Sequence, residues 1–153
     1  NLLIVDQIEK AIQIQNIKKI LVFASSKDNS GLLAALLSIR GISAKSITGE
    51  TDHNERINAV RDYQLNKFPV LINYNVFTTG FDDPTIDCIF IARPTFSVVL
   101  YSQMVGRGLR GPKNGGTEEC LVVDMEDNYI NQPDIEIAGD FFKKNWHNDN
   151  NEE

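Results

Sequence analysis

Apolar residues along this chain gather in short solid runs, separated by stretches with helical spacing. Lys19–Ala24 (Lys-Ile-Leu-Val-Phe-Ala), Phe68–Asn73, Ile86–Ala92 and Glu119–Asp124 have strand length, and Ser43–Thr48 is a shorter, more polar run of the same kind. Residues 2–18 place Leu3, Ile4, Ile8, Ala11, Ile12 and Ile14 at helical intervals. Asn29–Arg40 predicts a helix with Leu32, Leu33, Leu36, Leu37 and Ile39 on its buried side and Gly41 as its stop. Thr51 or Asp52 can cap the next helix, which runs to about Asn66, and Glu55 stands three residues after Asp52 as in a capping box. Ser97–Leu109 predicts a further helix.

Strand and helix alternate, and the strands are solidly apolar. That pattern predicts an α/β domain of three αβα layers, with a mostly parallel sheet of about six strands covered on both faces. Such sheets bind ligands beyond the carboxyl ends of their strands. The segments that follow strand ends here are Ser25-Ser26, Thr48-Gly49, Asn73–Asp83 and Arg93-Pro94-Thr95.

The length of 153 residues suits one domain with a full core. No apolar run is long enough to span a bilayer, and no secretory signal is visible, so no membrane partner is expected. Cys88 and Cys120 lie in apolar runs and read as buried, reduced thiols, which suits the cytoplasm. No Cys/His cluster has metal-ligand spacing. The net charge of −6 is uneven: residues 124–153 hold nine acids and two lysines, while residues 1–123 are nearly neutral. Phosphate binding is therefore expected to be local and not a broad basic footprint. Residues 145–153 read as an acidic tail without structure of their own. Phe141, Phe142 and Trp146, just before it, are apolar enough to dock on the domain or on a neighbour.

Within Tyr101–Gly111, the residues Gln103, Gly106, Arg107 and Arg110 are spaced i, i+3, i+4 and i+7, which predicts one helix face. Two guanidiniums one turn apart repel unless an anion lies between them, and a glycine permits close approach to the backbone. The face suits a nucleotide polyphosphate, or else is a solvated basic helix end. Upstream, Val70–Pro84 carries a buried strand into a polar loop containing Thr78, Thr79, Gly80, Asp82 and Asp83. Asp82 can accept from a sugar hydroxyl or bind a cation, and the same residues also make an ordinary turn.

These runs resemble, in order, the second motor lobe of superfamily 2 helicases. Leu21–Ser25 looks like motif IV. Thr48-Gly49, with Arg56 and Phe68, resembles the stretch between motifs IV and V. Thr79-Gly80-Phe81-Asp82 resembles motif V, and Gln103–Arg110 matches motif VI, Q-x-x-G-R-x-x-R, in full. The likeness covers about residues 17–125, and its wording is nearest the branch with restriction-enzyme motor subunits and DNA-repair helicases.

The resemblance implies a RecA-like lobe that lacks its own P-loop. ATP with Mg2+ would be bound mainly by a first lobe in the same polypeptide, leaving residues 1–18 as a helix or linker from that lobe and residues 19–144 as the second lobe. Arg107 and Arg110 would face the γ-phosphate, with Arg110 as arginine finger, a role worth roughly 10³ to 10⁵ in rate. Gln103 would align the nucleotide site, with Gly106 at its backbone. Gly80 and Asp82 would approach the ribose. Ser25, Thr48, Gly49, Asn73, Asn75 and Thr79 would touch the sugar-phosphate backbone of DNA or RNA.

Tyr74-Asn75 stands where many relatives carry Thr-Asp, so Tyr74 either stacks on a base or belongs to the core. No G-x-x-x-x-G-K-[ST] and no Asp-Glu-Ala/Cys-His/Asp run occurs in the chain. The expectation is thus one lobe of an ATP-dependent helicase or translocase that hydrolyses ATP negligibly alone. The rival readings are a restriction-system subunit that translocates duplex DNA and a lobe kept only as a binding scaffold.

Overall fold

The computed structural model describes residues 1–76, 81, 83–93, 98–107 and 120–125. Its elements follow the apolar runs. They are α1 (Leu2–Gln13), β1 (Ile20–Ala24), α2 (Lys27–Ile39), β2 (Ala44–Thr48), α3 (His53–Gln64), β3 (Val70–Tyr74), β4 (Cys88–Ala92), α4 (Val98–Val105) and β5 (Leu121–Asp124). The strands form one sheet in the order β2-β3-β1-β4-β5, with every pairing parallel. Among the described residues the sheet has five strands.

Successive side chains of a strand point to opposite faces, and this sorts the core into two layers. Leu21, Phe23, Leu71, Ile89 and Ile91 face α3 and α4, where Ala59, Tyr63, Tyr101, Met104 and Val105 meet them. Ile20, Val22, Ala24, Val70, Ile72, Cys88 and Phe90 face α1 and α2, against Ile4, Val5, Ile8, Leu33 and Leu37. The result is the predicted three-layer αβα arrangement, in which the apolar central strands are shielded on both sides. Tyr74 is half-buried and packs on the α1/α2 side.

Side-chain caps set the starts of α2 and α3. Ser26 caps α2, its side chain accepting from the Asn29 amide at 3.0 Å. Asp52, not Thr51, caps α3, accepting from the amides of Asn54 (2.9 Å) and Glu55 (3.3 Å). Those amides favour the ionised carboxylate and hold its pKa below the usual aspartate value. Gly41 ends α2 in the left-handed region at φ +76°.

Two helical stripes are narrower than expected. In α1 and at its C-cap, Leu3 and Ile14 are exposed while Val5 is fully buried. In α2, Leu33 and Leu37 carry the packing, whereas Leu32 and Ile39 face outward, Ile39 at 80%. A helix lying on a sheet presents one stripe about 100° wide, which cannot hold five leucine or isoleucine side chains within eight residues. No described helix is long and apolar enough to cross a membrane.

Candidate functional site

The strand-end residues assemble along one edge because every strand runs the same way. Register pairs Thr48 with Tyr74, Phe23 with Asn73, and Ala24 with Ala92. The residues next in sequence, Ser25, Gly49, Asn75 and Arg93, therefore lie level at the carboxyl edge. Ser25, Gly49 and Asn75 are exposed.

Local hydrogen bonds shape this edge. Thr48 is buried, and its amide donates to Thr51 Oγ1 at 2.9 Å while its hydroxyl accepts from the Glu50 amide at 3.3 Å. The turn through Gly49 is thus held by both threonines. Asn73 is buried, with its Oδ1 accepting from the Val76 amide at 3.0 Å. That bond turns the chain sharply as it leaves β3, and Asn75 takes a left-handed φ of +57°.

Arg93 Nη1 donates to Asn75 Oδ1 at 2.9 Å. These residues follow β4 and β3, which flank β1, so the bond passes over the end of β1 across roughly 10 Å, or two strand spacings. Lys27 pairs with Glu50 from the neighbouring loop, both exposed. The hydrogen bond and charge of Glu50 raise the Lys27 pKa.

The described motif VI residues lie on α4 and in the turn after it. Of the described candidate residues Gln103, Gly106 and Arg107, Gln103 lies within α4, where it is exposed. The helix ends at Val105, and Gly106 and Arg107 form the turn beyond it, so the predicted single helical face is split. The Gly106 amide still reaches the Ser102 carbonyl four residues back at 2.8 Å, but Arg107 bonds Met104, three back, at 3.3 Å. Glycine is a weak helix former, and the tightened last bond is common at helix ends. A Cβ on Gly106 would sit 2.9 Å from the Ser102 carbonyl oxygen, a backbone atom that cannot yield without moving the turn.

Arg107 is half-buried, and its Nη1 donates to the carbonyl oxygen of Phe81. Phe81 itself is buried among the α3 and α4 side chains. Motif VI is therefore tied to the motif V run across 26 residues of sequence. Gly80, Asp82, Thr79 and Arg110 lie outside the described residues.

A third cluster, not anticipated from the motifs, lies at the opposite end of the sheet. Lys19 is only 2% exposed. Its ammonium donates to Asp83 Oδ2 (2.9 Å), Thr85 Oγ1 (2.8 Å) and the Gln64 carbonyl (3.3 Å), and lies 5.2 Å from the Tyr63 ring centroid. Asp83 is 4% exposed and also accepts from the Thr85 amide (3.0 Å) and hydroxyl (2.6 Å). Asp87 Oδ2 accepts from the amides of Lys18 and Lys19, both at 3.0 Å. A lone charge opening an apolar strand, with two aspartates leading into another strand, was the available signal.

Among known proteins, residues 4–111 match the family model of the helicase conserved C-terminal domain. The chain belongs to that family. This helicase C-terminal domain is 42% identical over 107 residues to "Putative mitochondrial ATP-dependent helicase irc3" of Schizosaccharomyces pombe, and 36% identical over 113 residues to "Putative ATP-dependent helicase IRC3" of Saccharomyces cerevisiae. Those alignments cover 70% and 74% of the chain but only 17% and 16% of the two relatives. The fold matches "Mss116p DEAD-box helicase domain 2 bound to an RNA duplex", with a TM-score of 0.67 at 20% identity over 80% of this chain and 48% of that one. The helicase domain is thus a RecA-like second lobe of the superfamily 2 type, as its motifs imply.

The donor set at motif VI, an amide side chain and a guanidinium, fits an anionic phosphate and not a metal ion. Among the described residues no group of three or more His, Cys, Asp and Glu side chains could hold a metal.

Proposed function

We propose that this chain is the second motor lobe of an ATP-dependent nucleic-acid helicase or translocase. A first lobe in the same polypeptide would hold ATP and Mg2+. Lobe closure brings Arg107 and Arg110 onto the phosphates, with Arg110 as the arginine finger, and Gln103 aligns the nucleotide. The metal bound on the other lobe would neutralise phosphate charge; no residue described here is assigned to it. Ser25, Thr48, Gly49, Asn73 and Asn75, together with Thr79, grip the sugar-phosphate backbone without reading bases. Hydrolysis and release reopen the cleft and advance the strand.

The observation that carries this reading is the bond from Arg107 to the Phe81 carbonyl. It joins motif VI to motif V, so a change at the phosphates has a route to the loop leading from β3. The solved DEAD-box domain with bound RNA supports the choice of a nucleic-acid track, and the names of the two yeast relatives support ATP dependence.

ATP hydrolysis by the full-length protein, with single-stranded DNA or RNA present, tests it. Arg110→Ala is expected to lower kcat by about 10³ with KM little changed. The isolated chain is expected to show no turnover above buffer. Robust turnover by the isolated chain that Arg110→Ala abolishes would overturn the two-lobe assignment.

A further inference from the structure

A buried ion pair usually stabilises a fold little compared with apolar side chains of the same size, so its presence calls for a reason. Lys19 and Asp83 form such a pair. Asp83 stands two residues after Phe81, whose carbonyl accepts from Arg107. The Phe81 ring also packs on Tyr63, with centroids 6.3 Å apart, and Tyr63 in turn lies beside the Lys19 ammonium. The Tyr63 hydroxyl is buried without a hydrogen-bond partner among the described residues. The phenol therefore serves here as a ring, a spacer between Lys19 and Phe81. Lys19 holds Asp83 directly and Phe81 through Tyr63, while Arg107 meets Phe81 from the turn after α4.

We propose that the Lys19–Asp83 ion pair is a positioning device for Arg107: it fixes the segment that presents the Phe81 carbonyl and so sets where the Arg107 guanidinium stands. The inference rests on the reading of Arg107 as a phosphate-facing residue. Lys19 touches no substrate. It acts through Asp83, Phe81 and Arg107 in turn, along a path whose every contact is buried or half-buried. Lys19 also bonds the last carbonyl of α3, at Gln64, which ties that helix to the same anchor.

The test separates positioning from stability. In the full-length protein, Lys19→Met with Asp83→Leu replaces both charges by apolar side chains, which leaves no unpaired buried charge. The double variant is expected to keep its unfolding temperature close to wild type. Its kcat for ATP, measured with a poly(dT) or poly(U) activator, is expected to fall about 10-fold or more, since small misplacements of a group at the transition state cost that much. KM for ATP should move little. Adding Arg107→Ala to the double variant should cost much less than adding it to wild type, because both changes act through one path.

A double variant with wild-type kcat, or an Arg107→Ala penalty of equal size in both backgrounds, overturns the inference. Should the double variant fold poorly, Thr85→Val carries the test. It removes one bond from each charge at an exposed position, and its unchanged kcat would also overturn the inference. If Arg107→Ala alone leaves wild-type activity, the reading of Arg107 itself fails. If Arg107→Ala inactivates and the pair variants do not, only the positioning role fails.

Discussion

The two ends of β1 hold charge in opposite ways. At its amino end, Lys19 is buried and makes three hydrogen bonds to groups more than forty residues away in sequence. Beyond its carboxyl end, Lys27 is exposed and pairs with an exposed glutamate on the next loop. One strand separates them, yet only the first charge is locked. In low dielectric an ammonium must keep its counter-ion, so the closed end specifies one geometry. In water the Lys27–Glu50 pair is screened and readily exchanged, so the open end can give up its partner to an incoming phosphate. The sheet thus has a fixed base and an exchangeable rim, and the described candidate strand-binding residues, Ser25, Thr48, Gly49, Asn73 and Asn75, lie at the rim.

The sharpest way to break this contrast is Lys19→Met alone. It strands Asp83 in the core, and about 3–5 kcal/mol of stability should be lost, measured by urea unfolding. A loss below about 1 kcal/mol would mean that water reaches the pair and the base is not closed. Cys88 sharpens the contrast next, since it pairs in register with Ile20 beside Lys19. Burial, with smaller contributions from Cys120 and Asp87, pushes its thiol from 9.0 up to about 12. Its folded pKa is raised, so its contribution to stability is whole below pH 9.0 and is lost as pH climbs toward 12. At pH 8 the folded chain should be alkylated at Cys88 about 10³ times more slowly than the urea-unfolded chain. Equal rates would show an open base.

The smallest effect is expected from Lys27→Ala. Its unfolding midpoint should match wild type. The slope of log affinity against log salt for single-stranded nucleic acid, measured on the full-length protein, should fall by about 0.7. A clear drop in midpoint with no change in slope would make the rim as structural as the base.

Most of the fold was legible because solid apolar runs admit few arrangements, and the capping of α3 by Asp52 is a local pattern. The carboxyl-edge residues were legible for the same reason: a parallel sheet collects whatever follows its strands. The helix stripes were read too wide, since Leu32 and Ile39 look as apolar as Leu33 and Leu37 and only the sheet decides which face it covers. Spacing alone extended α4 through Gly106 and Arg107, where the glycine and the tightened bond to Met104 end it. The Lys19–Asp83 pair and the Arg107–Phe81 bond were invisible, because 64 and 26 residues separate the partners and no local pattern links them.

Among the described strands, the central one is synthesised first. Its neighbours β3 and β4 come later in the chain, and Asp83 is added 64 residues after Lys19. At a ribosomal pace of about 5–20 residues per second, Lys19 waits roughly 3–13 seconds for its counter-ion. Until β3 appears late in that interval, β1 lacks both neighbours, and the nascent chain exposes this apolar segment to chaperones and to other unfinished chains.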